Sequence, residues 1–464
     1  MNKRLLIIGA GSTGRGQVAQ LAYESGWELT LVDRNEKLID AIRSAGKFTV
    51  ALYDPTGKPR DVVISGYRAL HTGEVQAVAE EIASADLIVT SVIATNLPQV
   101  APLLAEGLRR RAENVTRASR PRVARASGPR VSRASCPRLD PVNVIAAENM
   151  EHSSTVLHDL TLAAWERTGI PISDEPERER NNKQQRHGQD AHATRGRDAR
   201  DTRGQDVRDT LDAVARFPDS MIARVVPIAA DPLRLNAEEF SEWTVDGTVF
   251  AGPDPQIKTL ELVPNQSARL ERKLFIHNTG HATCAYWALR NGCRFVHEGA
   301  RDPKIIEQVR LAIGQSGSAV AAEHGFPRDT IRAYEENLLG RLPGDAFVDG
   351  LDRVCREPLR KIGPQERLIG PINLCVKHGL PMEHLCRAVA VVLTTFMPGD
   401  GQYVQLKAML AEGGPEKVLR EVCQLAPEHP AHKLILNEYS TLRASEALED
   451  VHKRFGGAMK RLAE

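Results

Sequence analysis

The opening of the chain changes hydrophobic period twice within its first βαβ-sized stretch. RLLIIG is a short continuous apolar run, as a buried strand would be; QVAQLAYESGW carries apolar residues at helical spacing; LTLVD is apolar again and ends on an acid. Strand, helix, strand is the sequence of a βαβ unit. The strand signature returns at DLIVTSVI (86–93) and NVIAAEN (143–149), with helical patterns between, which predicts a parallel sheet covered by helices on both faces. From about residue 266 the pattern becomes long helical periodicities, among them KIIEQVRLAIGQSGSAVAAEHG and MEHLCRAVAVVLTTF, with few strand signals. The expectation is an α/β Rossmann-type domain over 1–265 and a mainly α-helical domain over 266–464, with the site between them.

Two stretches fit neither pattern. Residues 117–140 hold three copies of an eight-residue unit, RASRPRVA, RASGPRVS and RASCPRLD, with seven arginines and no acid before Asp140. Residues 195–210 hold two copies of another, RGRDARDT and RGQDVRDT, after the polar run ERERNNKQQRHGQDAHAT. Lacking a hydrophobic face, both are expected to be flexible surface insertions of the N-terminal domain, at 117–140 and about 178–210. An arginine arm for RNA or an anionic surface is the functional alternative for the first, a solvated insertion the plainer one.

Composition changes this picture little. At 464 residues the chain is long enough for two cores. Its 61 Lys and Arg nearly balance 60 Asp and Glu, which argues against a dedicated nucleic-acid binder, and without the seven repeat arginines the formal charge of +1 would become −6. Seven cysteines, an odd set with no C-x-x-C pair, read as reduced thiols. No export leader and no run of 18 apolar residues is found, so a cytoplasmic protein without a membrane partner is expected.

Candidate chemistry sits in two places. Gly9, Gly11 and Gly14 form G-x-G-x-x-G between the first strand and the first helix, so Gly9, Ala10, Gly11, Ser12, Thr13 and Gly14 are candidates to cradle a pyrophosphate at a helix N-terminus. Asp33 ends the second strand, where a carboxylate binds the adenosine ribose and repels a 2′-phosphate, favouring NAD over NADP; Arg34 beside it tempers that preference.

The second place is KLFIHNTGH (273–281). On a regular helix over 268–290, Lys273, His277, His281 and Asn278 fall at about 0°, 40°, 80° and 140°, all on one side. Three uses compete: zinc binding by His277, His281 and Cys284; a solvated polar face; and acid/base chemistry, in which a desolvated Lys273 exchanges the proton of an alcohol, Asn278 donates a hydrogen bond to the developing alkoxide and His281 orients substrate or lysine.

The sequence resembles the polyol-specific long-chain dehydrogenases, and within them the branch acting on mannitol 1-phosphate. The resemblance is carried by GAGSTGRG at 9, NVIAAENM at 143, FPDSMIARVVP at 217, DPL at 231, EFSEWTVDGTVF at 239, ERKLFIHNTGHATCAY at 271, DRVCREPLRKIGPQERLIGP at 352 and GLP at 379, and only the repeats lie outside it. It implies a zinc-independent, NAD-dependent oxidoreductase interconverting D-mannitol 1-phosphate and D-fructose 6-phosphate, a small sugar phosphate or polyol as partner, and a monomer or weak dimer. It implies Lys273, Asn278 and His281 in the roles above, with Asn149 as a second oxyanion-binding amide. Arg353, Arg356, Arg360, Lys361 and Arg367 are candidates to hold the phosphate. Where the family usually has Val-Asp-Arg, this chain has Ile222, Ala223 and Arg224, which puts the exact substrate in question. The alternatives are a related mannitol 2-dehydrogenase, fructuronate or tagaturonate reductase, or a non-enzymatic nucleotide- or RNA-binding protein.

Overall fold

Six strands form one parallel sheet: β1 (Arg4–Ile8), β2 (Glu28–Asp33), β5 (Arg68–His71), β6 (Leu87–Thr90), β7 (Val142–Ala146) and β8 (Ala215–Arg216), in the order β5-β2-β1-β6-β7-β8. This computed structural model of the protein describes residues 3–54, 56–119, 140–148, 150, 152–167, 195–344 and 348–445. The order is that of a doubly wound dinucleotide-binding fold, whose switch point lies between β1 and β6. Alternation along β1 shows why both faces must be covered: Leu5 and Ile7 enter one core with Leu29 and Leu31, whereas Leu6 and Ile8 enter another with Ile88 and Val144.

Two smaller sheets accompany it. β3 (Lys47–Tyr53) pairs antiparallel with β4 (Pro59–Ser65) and parallel with β10 (Arg234–Glu238); β11 (Glu242–Asp246) lies between β9 (Ser220–Ala223) and β12 (Leu260–Val263). The apolar run predicted as a strand over 86–93 ends earlier, at Thr90, because the chain turns at Ser91–Ile93 with Ile93 at φ 71°.

The chain divides into two compact units, Met1–Asp54 with Pro59–Gln266, and Ser267–Glu464 with Pro55–Lys58. The second is helical. Its core gathers around the helix Pro303–His324, capped by Asp302 at one end and by Gly325 in the left-handed conformation at the other, against which pack the helices Arg328–Arg341, Ile369–His378 and Glu383–Thr394 and the helical stretch from Gln266 to Arg290. No helix among the described residues is long and apolar enough to cross a membrane.

The insertions differ from expectation in one respect. Residues 120–139 and 168–194 lie outside the described residues, but the second repeat belongs to a helix, Arg195–Val214. Val207, Leu211 and Val214, spaced four and three apart, give its C-terminal half the apolar stripe that the repeat alone lacks; Leu211 and Val214 are buried among residues of the helices Leu97–Ser119 and Ser153–Arg167. Truncating a fully buried leucine leaves a cavity, so Leu211→Ala should cost about 2–5 kcal/mol in urea unfolding, whereas Arg208→Ala on the same helix should stay within about 0.5 kcal/mol.

Candidate functional site

The glycine turn and the acid of β2 belong to the first unit. Gly9 follows β1 with φ 104°, and a Cβ there would lie 2.1 Å from the carbonyl oxygen of Ser91. A Cβ on Gly14 would lie 2.0 Å from the carbonyl oxygen of Gly9, so neither position admits a side chain. Gly11 is different: a Cβ there would meet no atom of the protein within 4 Å. Packing within the described residues therefore does not demand a glycine at this position. Ser12 and Thr13 begin the helix, and Gly14–Ala19 forms a π-type turn that continues into Gln20–Glu24.

Two arginines fix this helix, Arg15 buried and Arg224 half-buried. Arg15 donates to the carbonyls of Ala10 (2.6 Å) and Pro232, and Arg224 donates to the carbonyl of Gly16 (3.0 Å) and to Gln20 Oε1 (2.6 Å). Burial lowers both guanidinium pKa values to about 10, still charged at neutral pH. Arg224 thus has a structural post in the Ile222–Ala223–Arg224 segment that departs from the family pattern.

At the end of β2, Asp33 accepts from the Asn35 amide through Oδ1 (2.8 Å), and Oδ2 accepts from no described residue. Arg34 reaches Gln99 Oε1 at 3.0 Å.

The acid at 148, one position before the predicted Asn149, has a role that sequence reasoning missed. Asn149 itself lies outside the described residues. Glu148 is buried and accepts from the backbone amides of Val92 (2.8 Å) and Ile93 (2.9 Å), pinning the turn whose Ser91 carbonyl fills the space beside Gly9. Burial pushes its carboxyl above the ordinary value, and those two donors hold back part of the shift. Ile93, strained at positive φ, is 72% exposed beside this turn. The signal was present in the sequence as the acid of AEN, but nothing there says which amides it meets.

In the second unit, Lys273, Asn278 and His281 occur on one helical stretch, as predicted, but it is not a uniform α-helix. Lys273–His277 is a π-type turn between the α-helical segments Gln266–Arg272 and Asn278–Arg290, closed by the Asn278 amide donating to the Lys273 carbonyl. Ser316 and Thr279 hydroxyls donate to the carbonyls of Phe275 and Leu274 within it. The His277 and His281 rings stand edge to face with centroids 6.2 Å apart.

His281 Nε2 lies 3.2 Å from Asp349 Oδ2, while Arg353 donates to the other oxygen, Oδ1, at 2.9 Å. Burial opposes the charge on Asp349, but these two partners more than offset it and hold the carboxyl below its ordinary value. Nε2 of His281 is thus turned to Asp349. Arg341 donates to His277 Nε2 at 2.9 Å, and burial together with that cation places the imidazole well below its usual pKa. Cys284 is buried, its thiol pushed up to about 12 and directed to the Val296 carbonyl. With Arg341 on one imidazole and Cys284 turned to backbone, the zinc trio is not assembled.

The five candidate phosphate cations are close in sequence but differ in state. Arg353 is on Asp349; Arg360 is on Glu357 (2.7 Å) and Glu366 (2.9 Å); Arg367 is on Glu366 (3.1 Å). Lys361 is buried against the carbonyls of Val354 and Arg356, and burial lowers its pKa to about 8. Arg356 is exposed, with no ion pair among the described residues.

Comparison with known proteins gives the family of the chain. Residues 3–119 match the family model of the mannitol dehydrogenase Rossmann domain and residues 267–450 that of the mannitol dehydrogenase C-terminal domain. The chain is 31% identical to mannitol-1-phosphate 5-dehydrogenase of Brevibacillus brevis, covering 94% of this chain and 97% of that protein, and 30% identical to that of Bacillus licheniformis, covering 93% and 98%. In fold it resembles a D-sorbitol dehydrogenase in substrate-free form (TM-score 0.70, 14% identity, 96% of this chain and 93% of that one). It also resembles Pseudomonas fluorescens mannitol 2-dehydrogenase in a ternary complex with NAD and D-mannitol (TM-score 0.63, 16% identity, 98% and 95%). Two matched domains and similarity over nearly the full length of its relatives place the chain in the mannitol dehydrogenase family.

Proposed function

We propose that the protein is an NAD-dependent oxidoreductase interconverting D-mannitol 1-phosphate and D-fructose 6-phosphate. The observation that carries this is the similarity to mannitol-1-phosphate 5-dehydrogenases over nearly the whole of both chains, with Lys273, Asn278 and His281 together on one helical stretch.

Gly9, Ala10, Gly11, Ser12, Thr13 and Gly14 hold the pyrophosphate of the dinucleotide, and the open space at Gly11 fits that use. Oδ2 of Asp33, unengaged among the described residues, accepts from the ribose, and Arg34, occupied with Gln99, supports NAD over NADP. A bound nicotinamide dinucleotide supplies the hydride donor or acceptor. Lys273 takes the hydroxyl proton during oxidation and returns it to the carbonyl oxygen during reduction. The side-chain amide of Asn278, joined by Asn149, donates to that oxygen as charge builds on it, and His281, held by Asp349, presents Nδ1 to a substrate hydroxyl or to the lysine. Arg353, Arg356, Arg360, Lys361 and Arg367 receive the phosphate.

Three outcomes test this. Wild-type protein should oxidise NADH with fructose 6-phosphate and hardly at all with fructose or fructuronate, and Lys273→Ala should keep NADH affinity in a fluorescence titration while kcat falls by about 10²–10⁴-fold; near-normal turnover in that variant refutes the assignment. Gly11→Ala should keep the wild-type Tm and lose NADH binding, whereas Gly14→Ala, whose Cβ meets backbone, should lower both Tm and affinity. Lys361 loses its charge as pH rises through about 8, so kcat/KM for fructose 6-phosphate should fall there, and Lys361→Arg should move that limb to higher pH.

A further inference from the structure

We propose that Arg341 and His277 form a one-way hydrogen-bond relay that fixes the side-chain amide of Asn278 with its NH₂ group as the outward donor, making both of them positioning residues for the reaction. The inference rests on Asn278 donating to the reacting oxygen, as proposed above. Neither residue belongs to the K-x-x-x-x-N-x-x-H pattern, and the relay follows from which atoms can donate.

A guanidinium has N–H donors and no acceptor. Arg341 Nη2 lies 2.9 Å from His277 Nε2, so that nitrogen must accept, and the imidazole is neutral with its proton on Nδ1. Nδ1 then has only a donor to offer. The atom it faces, at a long 3.4 Å, is Asn278 Oδ1. Were the amide turned over, two donors would face each other, so the side-chain oxygen is held toward His277 and the nitrogen is directed away from it. Nδ2 meets no protein acceptor among the described residues, which leaves its two N–H groups for a ligand oxygen. The backbone of the same residue closes the π-type turn onto the Lys273 carbonyl, so main chain and side chain of Asn278 are both fixed.

The charged groups around His277 all favour the neutral ring. Arg341 approaches from the helix Arg328–Arg341, and Lys273 and His281 from its own helical stretch; each is a cation or can become one. A proton on Nε2 would displace Arg341 and face its positive charge. The relay therefore keeps its direction across the pH range in which Lys273 exchanges protons. A neutral histidine between arginine and asparagine also insulates the donor amide, because the cation acts through the ring instead of competing for the substrate oxygen.

A cycle of variants in the full-length protein, assayed by NADH oxidation with fructose 6-phosphate, separates this from a packing role. His277→Leu should lower kcat by about 10–100-fold with NADH affinity and Tm little changed, and Arg341→Met should act in the same direction. The double variant His277→Leu/Asn278→Ala should be no slower than Asn278→Ala alone, since the relay has nothing left to orient. Multiplying losses in the double variant would overturn the relay while leaving the role of Asn278 intact. A normal kcat in Asn278→Ala would instead remove the functional reading on which it rests. His277→Gln, which can accept from Arg341 and donate to Asn278 through one amide, should recover most of the rate that leucine loses. Independently of activity, histidine ¹⁵N shifts should show His277 as the Nδ1–H tautomer and still neutral at pH 6; the Nε2–H tautomer or a charged ring would sink the proposal.

Discussion

Where β1 and β6 end side by side, backbone touches backbone with no side chain between. The Ser91 carbonyl occupies the space of a Cβ on Gly9, and the Gly9 carbonyl occupies that of a Cβ on Gly14. This crossing sets the rest of the first unit. It brings the first helix close against the strand that precedes it. It also requires the chain after β6 to hold an unusual path, and Ile93 at φ 71° bears a strain of about 1–3 kcal/mol. Glu148, reaching over from the end of β7, answers that need by accepting from the two amides at the bend. Two glycines and a distant carboxylate thus maintain one geometry from three strands.

The second unit solves a comparable problem with polar side chains. A π-type turn leaves carbonyls poorly served by the helix's own ladder, and hydroxyls of Ser316 and Thr279 meet two of them. Gly280 lets the helix sit close on its neighbours: a Cβ there would lie 2.7 Å from Leu338 Cδ2 and 2.9 Å from Ile313 Cγ2. The wide turn changes the phase between Lys273 and the residues after His277, so the angles expected of a regular helix do not describe how the three groups are disposed.

Much of this was legible in the residues. The parallel sheet followed from continuous apolar runs that only strands buried on both faces tolerate, and the glycine spacing carried its own steric reason. The site helix was legible in composition but not in shape, because no residue pattern separates a π-type turn from an α-turn, and one partner of its carbonyls, Ser316, lies some forty positions away. Glu148 was hidden for a similar reason, since its partners are backbone amides that any residue could supply. The helical end of the second repeat was missed because Val207, Leu211 and Val214 straddle the repeat boundary, and a period judged within the repeat alone contains one apolar residue.

The state of the cationic cluster bears on how a phosphate would be told from a hydroxyl. Arg353, Arg360 and Arg367 are held by Asp349, Glu357 and Glu366, at separations that already satisfy a guanidinium. A neutral polyol offers nothing with which to displace a carboxylate, whereas a phosphate dianion competes on equal terms and brings three acceptor oxygens. If the cluster receives the phosphate as proposed, carboxylate partners would act as a filter on charge, at some loss of affinity, in the way that repulsive or occupied groups confer specificity elsewhere. Asp349 would extend that filter. One of its oxygens holds Arg353 and the other His281, so a phosphate that drew Arg353 away would leave the whole carboxylate charge to the histidine and tighten its hold on the ring. Phosphate recognition and the orientation of a reacting group would then be coupled through a single side chain, without movement of the backbone.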